Sequence, residues 1–133
     1  MRIMVDTNIL LSAILFPQSE LSSRLVAVVE RHQLVLPTQI LEESQEVINR
    51  KFSDSQADYR RFIAQLNFEE FKIAPDFNQG ILPEIRDPKD APILAAAIVS
   101  GVDFFITGDK DFHVLSLKRP AIITLTDFSK KYL

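Results

Sequence analysis

Five short, mostly apolar runs punctuate this chain, and what lies between them constrains the fold. Ile3-Met4-Val5, Leu34-Val35-Leu36, Phe71-Lys72-Ile73, Phe104-Phe105-Ile106 and Ala121 to Leu125 are each too short for a helix and suit strands. The segments between them repeat apolar residues at helical spacing. Ile9 to Phe16 reads as a helix interrupted by Pro17, restarting at Ser19 or Ser22 and running to about Arg31. Thr38, after Pro37, can cap a helix whose packed face is Ile40, Leu41, Ser44, Val47 and Ile48 and which ends near Arg50. Another helix is expected from about Ser55 to Leu66. The most apolar one spans Ile93 to Val99, with Gly101 closing it, and a short terminal helix is capped by Thr126 or Asp127. Continuous apolar strands alternating with helices mean an α/β fold with a parallel sheet covered on both faces.

The polar residues that end these strands matter most. Asp6-Thr7-Asn8 breaks the first strand, and Thr107-Gly108-Asp109 breaks the fourth. Both carboxylates are therefore expected on the edge of the sheet where strands end, the place where open α/β sheets bind ligands. Asp90 begins the small-residue helix and can start on that same edge. Glu43, one turn into the helix after the second strand, can lean over it. Each acid has a plainer reading. Asp6, Asp87 and Asp90 suit helix caps, Glu43 sits beside the surface glutamates Glu42 and Glu46, and Asp109 competes with Asp111 in a good turn sequence. His113 has no second ligand nearby and reads as structural or surface.

If the acids do converge, they raise one another's pKa or require a cation between them. The chain has no cysteine and only His32 and His113, so an oxygen-only site selects a hard ion, Mg²⁺ or Mn²⁺. A carboxylate-held divalent ion activates water and steadies the leaving oxygen in phosphodiester cleavage, with two ions about 3.5–4 Å apart in the fullest form.

Composition sets few further limits. At 133 residues, 47% hydrophobic and 25% charged, residues 1–133 are expected to form one ordered domain. The lack of cysteine excludes disulfides and thiolate metal sites. No signal peptide or bilayer-spanning run is read, so a cytoplasmic protein with no membrane association is expected. The net charge of −3 argues mildly against nucleic acid. Basic pairs at Arg50-Lys51, Arg60-Arg61, Lys118-Arg119 and Lys130-Lys131 would offset that if they gather on a rim, but each also suits a solvated helix end. Ala74 to Lys89, with three prolines and Gly80, is expected to be the longest loop.

Over nearly its whole length the chain resembles PIN-domain proteins. The resemblance lies in Val5-Asp6-Thr7-Asn8, Leu41-Glu42-Glu43, Asp87-Pro88-Lys89-Asp90 with its small apolar helix, and Ile106 to Phe112. It implies a three-layer α/β/α sandwich with a central, mainly parallel sheet of about five strands. It also implies a Mg²⁺- or Mn²⁺-dependent ribonuclease acting on RNA. Many members are VapC-type toxins, often dimeric and inhibited by a partner antitoxin, so a homodimer and an antitoxin are expected. By this resemblance Asp6, Glu43, Asp90 and Asp109 are the catalytic, metal-binding acids, with Asp111 auxiliary. Asn8 and Thr107 are polar groups that orient ligands or water. Glu43 is preferred to Glu42 because it fits the family's helix pattern. The Ala74 to Lys89 loop is longer than in compact toxins. A haloacid dehalogenase-like phosphatase is the alternative enzyme, but that chemistry needs an Asp where Asn8 stands. A catalytically silent PIN-like module that binds RNA or protein is the remaining alternative.

Overall fold

A computed structural model describes residues 1–73, 82 and 88–133. The expected Asp87 cap and most of the Ala74 to Lys89 loop lie outside the described residues. Five strands, β1 (Arg2–Val5), β2 (Gln33–Pro37), β3 (Phe68–Phe71), β4 (Phe104–Ile106) and β5 (Ala121–Ile123), form one parallel sheet in the order β3-β2-β1-β4-β5. Seven α-helices flank it among the described residues, giving the three-layer α/β/α sandwich: α1 (Thr7–Leu15), α2 (Glu20–Arg31), α3 (Thr38–Lys51), α4 (Gln56–Gln65), α5 (Ala91–Val99), α6 (Lys110–His113) and α7 (Leu125–Tyr132). None of the described helices is long and apolar enough to cross a membrane.

The central strands are buried on both faces, which is why they read as unbroken apolar runs. Ile3, Met4, Val5, Leu34, Val35 and Leu36 have no exposed surface. Their packing continues through Leu10, Leu25, Ile40, Leu94, Phe105 and Phe128 in one core.

The edge strands follow different rules, and two expectations are corrected there. β3 spans Phe68–Phe71, not Phe71 to Ile73, pairing Leu34 with Phe68 and Pro37 with Phe71. At the sheet edge Glu69 and Glu70 can face solvent, so no continuous apolar run marks the strand. Instead Glu69 receives Arg2 at 2.6 Å, and Glu70 receives the Thr38 hydroxyl at 2.8 Å. At the other edge β5 stops at Ile123, opposite Ile106 where β4 stops. Thr124, rather than Thr126 or Asp127, caps α7 by accepting the Asp127 N–H at 3.1 Å.

Helix boundaries explain themselves locally. α1 starts at Thr7, earlier than expected, because Asp6 caps it, and Ser19 caps α2. Thr38 is the first residue of α3 rather than its cap. Gly101 follows α5 with φ of 70°, the left-handed turn that a C′ glycine allows.

α4 is fastened to α3 by a buried polar contact. The Tyr59 hydroxyl and Ser44 Oγ lie 2.7 Å apart, and the phenol also donates to the Leu41 carbonyl at 3.1 Å. Burial pushes the Tyr59 phenol above its ordinary pKa. Tyr59→Phe is therefore expected to cost about 1 kcal/mol in urea denaturation. An unchanged midpoint would show that the contact contributes nothing to holding α3.

Candidate metal centre

The strand order reverses at β1. From there the chain steps outward through β2 and β3, then returns to place β4 and β5 on the other side. The carboxyl ends of β1 and β4 thus form the switch point of the sheet, where a crevice opens between diverging connections. Asp6 and Thr107 are the residues that leave those two strands. The ladder continues past their ends, with the Asp6 N–H on Ile106 O at 3.2 Å and the Thr107 N–H on Ile123 O at 3.0 Å.

Asp6 is 7% exposed and does two things at once. Oδ1 accepts the Ile9 N–H at 3.1 Å and so caps α1, while Oδ2 accepts the Thr107 hydroxyl. The capping reading is therefore true of Asp6, and it leaves the carboxylate inside the crevice. Burial pushes its pKa above the ordinary aspartate value, and the charge of Asp109 adds to this. The hydrogen bonds from Thr107 and the backbone of Ile9 and Asn8 pull the other way. Asp109 caps α6 through the Asp111 N–H at 2.9 Å, and its own N–H is held by Thr107 Oγ1 at 3.0 Å.

Asp90, Asp109 and Asp111 each bring a carboxylate oxygen within 4.8 Å of the others. Asp90 arrives at the end of a 3-10 turn, Pro88–Asp90, and makes no capping hydrogen bond to α5 with its side chain. Asp109 and Asp111, which compete for one role in the sequence, stand together here. Glu43 does not belong to that group; its Oε2 accepts the hydroxyl of Thr7, the residue after Asp6, at 3.2 Å. Glu42 instead lines a groove with Thr38, Tyr59, Phe68 and Glu70. Asp6, exposed Asn8 and Asp109 share a cavity of about 250 Å³ with Ile9, Ser12, Leu21 and Gly108.

The donor set suits a hard divalent cation. Every grouped ligand atom is a carboxylate oxygen, and a cation between like charges this close would relieve their repulsion. Two residues make contacts here that the sequence does not assign, although His113 reads there as structural or surface. Thr7, buried between two more conspicuous polar residues, holds Glu43. His113 points Nε2 at the Thr107 carbonyl, 2.7 Å away. Its spacing from Thr107 was the available signal, but only a tertiary contact gives that spacing meaning.

The basic pairs do not all form a rim around this crevice. Arg119 bonds the Gly101 carbonyl and Asp103, just ahead of β4, at the opposite edge of the sheet. Lys130 and Lys131 lie in the last turn of α7, next to Tyr132, whose carbonyl reaches His32 before β2. Arg61 pairs with Asp58 on its own helix. Lys130-Lys131 thus sits at a solvated helix end, Arg119 beside the amino edge of β4, and Arg60-Arg61 in mid-helix.

A family model described as PIN domain matches residues 2–111. No curated protein matches the chain. Among solved structures the chain is similar to VapBC2 from Rickettsia felis, crystallised bound to a DNA fragment from its promoter. That likeness has a TM-score of 0.71 and 21% identity, and covers 92% of this chain and 97% of the other. At that identity the likeness concerns the fold.

Proposed function

The chain belongs to the PIN-domain family, and from that premise we propose that it is a Mg²⁺- or Mn²⁺-dependent endoribonuclease that cuts single-stranded or looped RNA. The observation that carries this reading is the meeting of Asp90, Asp109 and Asp111 beside buried Asp6 at the switch point of the sheet. These four acids, with Glu43, are the proposed catalytic and metal-binding set. When bound, the ion supplies Lewis-acid chemistry, activating water and stabilising the leaving oxygen of a phosphodiester.

The chain's own residues prepare that chemistry. Thr107 and the start of α1 hold the two oxygens of Asp6 in fixed directions, so the carboxylate loses little freedom on binding. Thr7 steadies Glu43 in the same way. Asn8, exposed at the cavity mouth, can donate and accept hydrogen bonds to a substrate or water. The bare acids repel a phosphodiester, so RNA binding is expected to depend on the cation as much as turnover does.

We place this single nuclease domain in the cytoplasm as a homodimer and as the toxin of a toxin–antitoxin pair, restrained by an antitoxin protein. The fold shared with VapBC2 supports such a partner.

The test is direct. The chain is incubated with RNA and separately with p-nitrophenyl phosphate, with Mg²⁺, with Mn²⁺ and with EDTA. Internal RNA cuts that need the ion and vanish with EDTA are expected. Phosphate release without RNA cleavage would point to the phosphatase chemistry instead, and RNA binding without turnover to a silent binding module.

A further inference from the structure

Thr107 is gripped from four sides. Its N–H donates to the Ile123 carbonyl at 3.0 Å, and its hydroxyl donates to Asp6. The same hydroxyl oxygen accepts the Asp109 N–H at 3.0 Å, and its carbonyl lies 2.7 Å from His113 Nε2. The first three contacts come from the sheet and from the turn itself. The fourth comes from the far end of α6, and it closes a ring from Thr107 through Asp109 and Asp111 back to Thr107.

That closure matters because α6 has only four residues. A helix below about 12–15 residues does not hold itself together in water, so ties to the rest of the fold must place it. Three are present. The Asp109 cap binds the helix only to its own start. Phe112 anchors its depth, edge-on to Phe105 with ring centroids 4.9 Å apart. A single anchored ring still lets a short turn roll about that anchor. The His113 contact, at the next residue, is a tie that opposes this roll. Asp111, on the other side of Phe112 in sequence, moves with any such roll.

We infer that His113 is a positioning residue for the metal centre, donating from Nε2–H to the Thr107 carbonyl so that Asp109 and Asp111 are presented to Asp90. This rests on the proposed reading that these acids hold a divalent cation. His113 is not itself a ligand in this arrangement. The grouped acids within 4.8 Å include no histidine, and Nε2 is committed to a carbonyl oxygen. A neutral ring then carries its proton on Nε2 and leaves Nδ1 without one.

The experiment measures Mn²⁺ affinity of the metal-stripped full chain, by electron paramagnetic resonance or calorimetry, for wild type, His113→Ala and His113→Gln. Melting temperatures are recorded for all three without metal. His113→Ala is expected to weaken Mn²⁺ binding 10- to 100-fold, as loss of a ligand-orienting partner does. His113→Gln is expected to recover most of it, because the amide N–H can reach the same carbonyl, and the metal-free melting temperatures should stay close together. Equal affinity for wild type and His113→Ala overturns the inference alone. So does equal weakening in both variants, or weakening that follows a fall in melting temperature, since either describes a folding role. A wild-type chain that binds no Mn²⁺ overturns the metal reading of the site, and this inference with it.

Discussion

Asp6→Asn is expected to abolish metal-dependent RNA cleavage, with a loss of at least on the order of a hundredfold, while the metal-free protein becomes no less stable. The two halves of that result separate the two jobs of Asp6. Asparagine is as good an N-cap as aspartate, so the bond from the Ile9 N–H survives the change. What is lost is the negative charge, which burial and the neighbouring Asp109 already disfavour, and Oδ2 as acceptor of the Thr107 hydroxyl, where the amide nitrogen instead faces Thr107 Oγ1 as a donor. Because the folded pKa is raised, the folded chain holds its proton at pH values where the unfolded chain has released it. Stability therefore falls as pH rises from the ordinary aspartate value through the higher folded one, and is level above it. The melting-temperature difference between Asp6→Asn and wild type should accordingly be smallest at acid pH and turn in favour of the variant toward neutrality. Adding Mg²⁺ should reverse the order, since only a chain that binds the ion is stabilised by it. A clear loss of metal-free stability at neutral pH in Asp6→Asn would mean that the carboxylate is there for the fold. Asp6→Ala is the useful contrast, because it should lose the cap as well, at about 1 kcal/mol.

Phe112→Ala should be the most destabilising single change near the site, at about 3–5 kcal/mol. Phe112 is 2% exposed and packs edge-to-face on the fully buried Phe105 of β4. Removing the ring opens a cavity under α6 and also takes away that short helix's depth anchor. Loss of Mn²⁺ affinity should therefore accompany the loss in urea stability, even under conditions where the variant remains folded. Phe112→Leu, which keeps much of the apolar volume, should restore most of both. If Phe112→Ala lowered stability but bound Mn²⁺ as tightly as wild type, the acids would be held by the turn alone, and α6 would not help to place them.

The central strands were legible because a parallel strand buried on both faces can carry little but apolar residues, as Ile3 to Val5 and Leu34 to Leu36 do. Asp6 and Thr107-Gly108-Asp109 were legible for a related reason. A polar break right after such a run must fall at the sheet's carboxyl edge. The third strand was misplaced because an edge strand such as Phe68–Phe71 can expose Glu69 and Glu70, and so leaves no continuous signal. The last strand was overextended for another local reason. Thr124 could sit in either a strand or a cap, and only the Asp127 N–H bonded to it decides which.

By itself, then, the sequence determined the layer architecture and offered the candidate acids, because burial on two faces and chain breaks are local properties. Tertiary structure decided which acids meet. The sheet order that reverses at β1 brings Asp6 and Asp109 to one crevice, though they are far apart along the chain. The Thr7 hydroxyl separates Glu43 from Glu42, which faces a different groove. Asp109 and Asp111, rivals on paper, come to stand with Asp90 within 4.8 Å because a four-residue helix is capped, wedged and tied in place. Periodicity reports which face of an element is buried. Distances between side chains on different elements depend on how the chain returns, and no local pattern records that.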